Sequence, residues 1–306
     1  MLELSKARYY NWLHRSGEGK LEDKVGKSMH LDKILPWEIE ACISYVLEHP
    51  REGYRRLAWM MVDKDIAYLS PSTVYRILDQ EDLLYRWKRS KSGTLNKPPK
   101  PKGPDEQWHT DIMYLWIRGR WYFLVSVLDG YSRYIVHWEL LTSMRADEVV
   151  DVVHRALEKT SARPRIVHDN GSQFKSKEYR QLIKQFELED IKVKVAHPES
   201  NGLIERFHRT VREEGIGEEE LGDLYQARDI IALWVKHYNE ERLHGAINYL
   251  RPWDYYYGNP ELLLATRQKK LERARVRRKE ENLGQRELVR RENFRQREQF
   301  WEKVQL

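Results

Sequence analysis

Residues 107–129 read QWHTDIMYLWIRGRWYFLVSVLD, and this stretch decides the fold. Two runs of apolar, aromatic and β-branched residues flank Arg118-Gly119-Arg120. This is the pattern of two antiparallel strands joined by a tight turn. The segment therefore predicts a β-hairpin whose first strand carries Asp111.

Two further acidic residues occupy settings that suit a common site. Asp169 ends the short run RIVHD (165–169) and is followed by Asn170-Gly171, a turn dipeptide that leaves the carboxylate at a strand tip. Glu205 lies near the start of a predicted helix, because the apolar residues around it recur at helical spacing. The 35 residues between Asp169 and Glu205 suffice for a helix, a strand and their turns. Three carboxylates on two strands and a helix are therefore expected to converge.

Carboxylate oxygens are the ligands that Mg²⁺ and Mn²⁺ prefer. Two such ions, about 3.5 to 4 Å apart, can activate an attacking oxygen and stabilise a leaving one in phosphodiester chemistry. The alternative is that these acids are ordinary surface charges, in a chain that holds 48 Asp and Glu residues. Zinc is not expected, because the single cysteine, Cys42, leaves no His and Cys pattern of metal-finger spacing.

Five blocks of sequence decide between these readings, because together and in this order they resemble the integrase-type catalytic core of DDE transposases. The blocks are WHTDI from Trp108, VLDGYSRYIV from Val127, HDNGSQF from His168, HPESNGLIERFHRT from His197 and HYNEERLHGAINYLRP from His237. Upstream, HPREGYRRLAWMM (49–61) and SPSTVYRIL (70–78) resemble the helix-turn-helix region of the second-reading-frame product of bacterial insertion sequences.

The resemblance implies an α/β fold with an RNase H-like core, in which a mixed five-stranded sheet is flanked by helices. Periodicity alone supports only a generic α/β class. Four segments are expected. They are a helical DNA-binding region (1–85), a basic Pro-rich linker (86–104), the catalytic core (105–258) and a basic charged helical tail (259–306).

Carried over by resemblance, the catalytic and metal-binding triad falls on Asp111, Asp169 and Glu205, with two Mg²⁺ ions per site and Mn²⁺ as a substitute. Arg209 and Arg212 follow Glu205 by four and seven positions, which places them on the same helical face. Their guanidinium groups are expected to hold phosphate oxygens beside the metals, unless they form only a solvated basic face.

Asn170 and Gln173 match the turn that follows the second acidic residue in the family. The resemblance implies that they shape the rim of the site and touch DNA. The alternative is that they only form a turn.

The N-terminal region contains the pattern of a helix-turn-helix. Ser70 is a predicted N-cap and Pro71 occupies the first helical position. Ser72, Thr73 and Arg76 would then project from the first turns of the second helix, the part that enters a major groove in proteins of this type. The alternative is a helical bundle that only packs against the core.

The tail concentrates the positive charge of the chain. Residues 261–306 hold 14 Lys and Arg against 8 Glu, an excess that equals the net charge of +6 of all 306 residues. A continuous helix of this length would span roughly 65 Å, too long to belong inside a small domain. Its expected role is duplex binding or bridging between subunits, with a loosely ordered charged tail as the alternative.

We therefore expect a transposase that performs metal-dependent 3′-end cleavage and strand transfer by in-line transesterification. Its partners would be DNA and further copies of the chain, because one active site must act on each end. Relatives are often fused to an upstream-frame product, so that product is a further expected partner, with the long tail as an alternative assembly device.

Three alternatives to this function stay open: a nuclease with the same core, a retroelement integrase and a non-catalytic DNA-binding or assembly protein. The single cysteine argues against the integrase, which usually carries an N-terminal His and Cys zinc module. No long uncharged apolar run or secretion leader is found, so no membrane partner is expected and the expected location is the cytoplasm.

Overall fold

The computed structural model describes residues 6–17, 30–84, 101–192, 202–217 and 221–304. Three features predicted above lie outside these ranges: most of the basic linker, the segment after Lys192 that leads into the Glu205 helix, and the last two residues of the tail. None of the helices in the described ranges is long and apolar enough to cross a membrane.

The core is built on a five-stranded mixed sheet with the order β3-β2-β1-β4-β5. The strands are β1 (Gln107–Ile117), β2 (Arg120–Asp129), β3 (Ile135–Leu141), β4 (Arg165–His168) and β5 (Asp190–Lys192). The first three are antiparallel, whereas β4 runs parallel to β1 and β5 parallel to β4. The predicted hairpin is confirmed. Its two-residue turn has positive φ at Arg118 (42°) and Gly119 (85°), as the tight hairpin turns require.

Helices cover both faces of this sheet. The helices of the core are α5 (Ala146–Thr160), α6 (Lys177–Gln185), α7 (Gly202–Thr210), α8 (Leu224–Glu240) and the short α9 (Pro252–Tyr256). One apolar cluster joins α7 and α8 to one face of the sheet, and a second joins α5 and α6 to the other. Three antiparallel strands followed by alternating helices and strands are the predicted RNase H-like arrangement, so the predicted fold class is confirmed.

A separate apolar cluster holds the N-terminal helices α2 (Pro36–Glu48), α3 (Tyr54–Asp63) and α4 (Pro71–Gln80), which we call the helical unit. They follow α1 (Lys6–Gly17). The predicted N-cap is present, since the Ser70 hydroxyl accepts a hydrogen bond from the Thr73 N–H at 3.2 Å. Cys42 is fully buried in this cluster.

The chain ends in one helix of 45 residues, α10 (Pro260–Val304). Its first half packs against the helical unit and fastens it through polar side chains. Arg278 forms hydrogen bonds of 2.7 to 3.0 Å with both carboxylate oxygens of Glu38. Further along, the Asn282 amide donates to the carbonyls of Leu31 and Lys33. We call residues 267–282 of α10 the clamp.

Arg267 lies where three parts of the molecule meet and is only 3% exposed. Its guanidinium pairs with Asp63 of α3 and donates to the carbonyls of Asn248 and Tyr249, which belong to the core. The same group stacks over Trp59, 5.0 Å from the ring centroid. The helical unit is thereby joined to the core as well as to α10.

Candidate active site

Asp111 lies in the middle of β1, on the sheet face that α7 covers. Its register partner on β2 is Ser126, and the next pair on the same face, Met113 and Leu124, is buried. One carboxylate oxygen accepts the backbone N–H of Ile112 at 2.9 Å. The side chain is 18% exposed, so the carboxylate lies at the boundary between the core and the solvent.

Asp169 directly follows β4, the parallel neighbour of β1. Because His109 pairs with Val167, residues 111 and 169 are each two positions beyond a matched pair on adjacent strands. The Asp169 carboxylate accepts the N–H of Gly171 at 2.9 Å. A Cβ at position 171 would lie 2.9 Å from that carboxylate oxygen, so the turn requires glycine unless the carboxylate moves.

Glu205 is exposed in the first turn of α7. Ile204 and Phe207 anchor this helix in the apolar cluster that also contains Met113 of β1. Because Ile204 and Phe207 are buried, the Glu205 side chain between them points toward the open edge above the sheet. The three acids are thus presented by β1, by the end of β4 and by α7, the elements predicted for them.

The pKa of Asp111 reflects the charges of the other two acids. The pKa of Asp111 is raised to about 6, first because the side chain is buried and then because Asp169 and Glu205 bring like charge. The Ile112 N–H acts in the opposite direction. The proximity is still electrostatic only, because within the described ranges no three His, Cys, Asp or Glu side chains meet closely enough to ligate one metal ion.

The donor set fits a hard divalent cation, because all three acids offer oxygen ligands. In the described part of the chain no Lys or Arg forms an ion pair with Asp111, Asp169 or Glu205. Three carboxylates near one another repel when no Lys or Arg side chain neutralises them, and a bound divalent ion would reduce this repulsion.

His208 of α7 lies beside Asp111, although the sequence analysis assigns it no role. Its Nδ1 atom lies 3.7 Å from an Asp111 carboxylate oxygen, and its Nε2 atom is buried with no partner among the described residues. Burial, with the charge of Arg212 as a second cause, lowers the pKa of His208 to about 3. The ring is therefore neutral at pH 7 and supplies no positive charge to the carboxylates.

The predicted DNA-contacting residues of the core fall into two groups. Arg209 and Arg212 are exposed on the helix that carries Glu205, although the backbone widens into a π-helical turn over Val211–Ile216. Gln173 is instead 9% exposed, and its amide donates to the Met144 carbonyl at 3.2 Å. Asn170 is half-buried in the turn after Asp169.

In the helical unit, Ser72 and Arg76 are exposed on α4, but Thr73 is only 9% exposed. The Thr73 hydroxyl lies 2.9 Å from the Ser70 hydroxyl, so it takes part in the helix cap. Tyr75, which sequence reasoning did not select, is 42% exposed between Ser72 and Arg76. An exposed aromatic in this position carries no periodic signal in a sequence.

Replacing Asp111 by Asn should stabilise the metal-free protein above pH 6. The pKa of Asp111 is raised in the folded state from 3.8 to about 6, so its contribution to stability is complete below pH 3.8 and is lost as the pH rises through about 6. We expect a gain of about 2 to 3 kcal/mol in the free energy of unfolding at pH 8 and little difference at pH 4.

Denaturant unfolding of the core at both pH values measures this difference. Asp151→Asn, at an exposed position of α5, is the matched control and should change little at either pH. Equal stabilities of Asp111→Asn and the unmodified chain at pH 8 would show that Asp111 is not strained by burial and like charge.

Comparison with known proteins identifies the core. Two models described as integrase core domain match residues 101–198 and 190–252. The chain is 29% identical over 222 residues to an uncharacterized protein of insertion element IS407 from Burkholderia multivorans, covering 68% of this chain and 76% of that protein. It is 28% identical over 228 residues to transposase InsD of element IS2 from Escherichia coli, covering 68% and 74%. The transposase of IS904 from Lactococcus lactis is 27% identical over 169 residues, covering 54% and 67%.

Solved structures of viral integrases are also similar. The HTLV-2 integrase catalytic core in complex with magnesium has a TM-score of 0.41 at 15% identity, covering 50% of this chain and 97% of that one. The simian T-cell lymphotropic virus intasome in complex with the PP2A regulatory subunit B56 gamma has a TM-score of 0.47 at 14% identity, covering 71% and 74%.

The integrase core matches define the class, a polynucleotidyl transferase. Because the matched relatives come from insertion sequences, the comparisons support an insertion-sequence transposase with an integrase-type core.

Proposed function

We propose that this transposase cleaves the 3′ ends of its element and joins them to target DNA by in-line transesterification at Asp111, Asp169 and Glu205. The observation that supports the proposal is that β1, the end of β4 and the first turn of α7 bring Asp169 and Glu205 near enough to Asp111 to raise its pKa. Phosphodiester chemistry needs oxygen ligands there, and no covalent protein intermediate is required.

In this proposal Asp111 and Asp169 hold a divalent ion, and Glu205 completes a second ion site. When bound, Mg²⁺ or Mn²⁺ would activate the attacking oxygen and stabilise the leaving one. The Ile112 and Gly171 N–H groups orient the two aspartates. Asp169 and Glu205 are exposed, so their side chains are free to turn toward the half-buried Asp111.

Other residues of the chain would bind and position the DNA. Arg209 and Arg212 are exposed beside Glu205 and would hold phosphate oxygens. Ser72 and Arg76 on α4 would contact a duplex bound by the helical unit. Thr73 would support the helix cap, and Asn170 and Gln173 would shape the turn after Asp169.

The expected partners are DNA and further copies of the chain, since two element ends need two active sites. An upstream-frame protein remains a proposed additional partner. We also retain the proposed segments 1–85, 86–104, 105–258 and 259–306, and the last of these contains the clamp.

A strand-transfer assay tests the proposal. A labelled duplex carrying the element end is incubated with the full chain, a supercoiled target plasmid and MgCl₂, with EDTA in a parallel reaction. We expect labelled, joined plasmid only when the divalent ion is present. Cleavage without joining would instead support the nuclease, and binding without either product would support the non-catalytic alternative.

A further inference from the structure

A buried histidine stands directly beside Asp169 and has no part in the proposed function. His168 is the last residue of β4, and its side chain is fully buried. Its ring stacks on Phe174, with the ring centroids 4.5 Å apart, and meets Tyr179 edge-on at 5.2 Å. Because two aromatic rings pack against the imidazole, it has little freedom to rotate and its two nitrogens keep fixed directions.

Each of these nitrogens faces an oxygen atom. The Nδ1 atom donates to the Asp169 carbonyl at 2.5 Å. The Nε2 atom lies 2.6 Å from a carboxylate oxygen of Asp190 on β5. The same Asp190 oxygen accepts the Tyr179 hydroxyl at 3.2 Å, and Lys192 Nζ lies 3.8 Å from the other oxygen. The imidazole therefore bridges the main chain at Asp169 to the edge strand of the sheet.

The Asp169 carbonyl needs such a partner because the sheet ends before it. The described pairing of β4 with β5 stops at His168 and Lys192, so Asp169 lies one residue beyond the ladder. A peptide unit past the end of a strand lacks the hydrogen bonds that hold the strand itself. Here the His168 side chain supplies one of them, while the Gly171 N–H binds the Asp169 carboxylate.

The position of this contact links it to metal binding. In the proposed function Asp169 shares the first divalent ion with Asp111, and its side chain is exposed. An exposed carboxylate keeps one direction only if its own main chain is fixed, because rotation of the peptide swings the whole side chain. Groups that orient a metal ligand from behind change metal affinity by roughly 10- to 100-fold when they are removed.

We infer that His168 is a positioning residue for Asp169 and that Asp190 orients the His168 ring. His168 acts through the main chain of Asp169, and Asp190 acts through His168. The inference rests on the proposed function, which makes Asp169 a ligand of the divalent ion. It adds two side chains that prepare the ion site without touching the ion or the DNA.

A pair of substitutions separates the two contacts of the ring. Asparagine places its side-chain N–H₂ group near the position of Nδ1, so His168→Asn keeps a donor for the Asp169 carbonyl. Glutamine places the same group near the position of Nε2, so His168→Gln keeps only the contact with Asp190. Both variants lose the ring and its stacking on Phe174, so a general loss of packing affects them alike.

Two measurements on the full chain compare these variants. The first is hydrogen–deuterium exchange of the turn 169–173 without metal, and the second is Mn²⁺ binding, followed by the paramagnetic resonance signal of the free ion. We expect His168→Gln to speed exchange in the turn and to weaken Mn²⁺ binding by about tenfold. His168→Asn should stay within a few-fold of the unmodified chain in both. The control, His244→Gln, should change neither, because this buried histidine contacts Arg242 and Tyr238 instead.

Unchanged Mn²⁺ binding in His168→Gln would overturn the inference even if the turn exchanged faster, because the network would then support the fold and not the ligand. Equal losses in the two His168 variants would overturn it as well, since the packing of the ring would then matter and not its bond to Asp169. If neither variant folds, Asp190→Ala takes their place, because the Asp190 side chain is 23% exposed on an edge strand. It should weaken Mn²⁺ binding by a smaller factor, and unchanged binding would again contradict the inference.

The two measurements also distinguish this inference from the proposed function. If the unmodified chain binds no Mn²⁺, the proposed function fails. Faster exchange of the turn in His168→Gln alone would still support the contact between His168 and Asp169, and equal exchange in all variants would overturn it.

Discussion

Glu205→Gln is expected to reduce both cleavage and joining by at least about 10³-fold, comparable with the loss of one strong electrostatic catalytic group. The amide keeps the size of the side chain but removes the negative charge that a divalent ion needs. Glu205 is exposed on α7, so the fold should tolerate the change. The measurement is the amount of joined plasmid per unit time, with binding to the element end expected to stay within a few-fold.

Glu213→Gln is the matched control, because Glu213 is exposed in the helical continuation of the same segment. It should cleave and join at the normal rate. If Glu205→Gln also joined DNA at the normal rate, Glu205 would not belong to the active site. A parallel loss of end binding would instead point to a role in holding DNA.

Arg278→Met is expected to lower the stability of the docked helical unit by about 3 to 5 kcal/mol, the usual cost of removing one partner from a buried ion pair. The Glu38 side chain is 2% exposed and the Arg278 side chain 11% exposed. Methionine fills much of the arginine volume but leaves the Glu38 carboxylate buried without a cation. Arg278 also donates to the Tyr68 carbonyl at 2.6 Å, and that bond is lost as well.

Thermal or denaturant unfolding measures this loss, and limited proteolysis should show earlier cleavage between the helical unit and the core. Lys279→Ala is the neighbouring control, since its side chain is 47% exposed and lies 4.0 Å from Asp32. An exposed pair of this kind contributes at most about 1 kcal/mol. Equal losses for the two variants would show that the clamp is not held by its buried pair.

The elements that carry the acidic triad were predictable because their signals are local. Alternating apolar runs around Asp111, a turn dipeptide after Asp169 and helical spacing around Glu205 each lie within about ten residues. The parallel pairing of β1 with β4 places residues 111 and 169 side by side, as three converging carboxylates require. What the pattern could not supply is the distance between carboxylates, which depends on side-chain rotation.

The clamp was not predictable, because its contacts are polar. Helix packing usually leaves an apolar stripe in the sequence, but α10 turns Arg267, Arg278 and Asn282 toward its partners. Their partners Asp63 and Glu38 are more than 200 residues away. A sequence shows charged residues in both places without indicating that they pair, so the basic excess by itself predicts duplex binding or bridging between subunits.

The other differences between the sequence predictions and the structure involve buried polar residues. Thr73 and Gln173 are polar residues of types that commonly contact DNA. In the structure the Thr73 hydroxyl takes part in a helix cap, and the Gln173 amide donates to a backbone carbonyl. His208 is the opposite case, a residue of the site that was not predicted. Nothing in a histidine that follows an apolar residue indicates that it will lie 3.7 Å from Asp111.

The clamp lies near the end of the chain, so its contacts can form only late in translation. Arg278 follows Glu38 by 240 positions, so a ribosome completes the entire catalytic core before that pair can form. The nascent chain therefore exposes α2, α3 and α4 for most of translation without the contacts that orient them. The contacts between the clamp and the helical unit therefore form only when the final helix emerges.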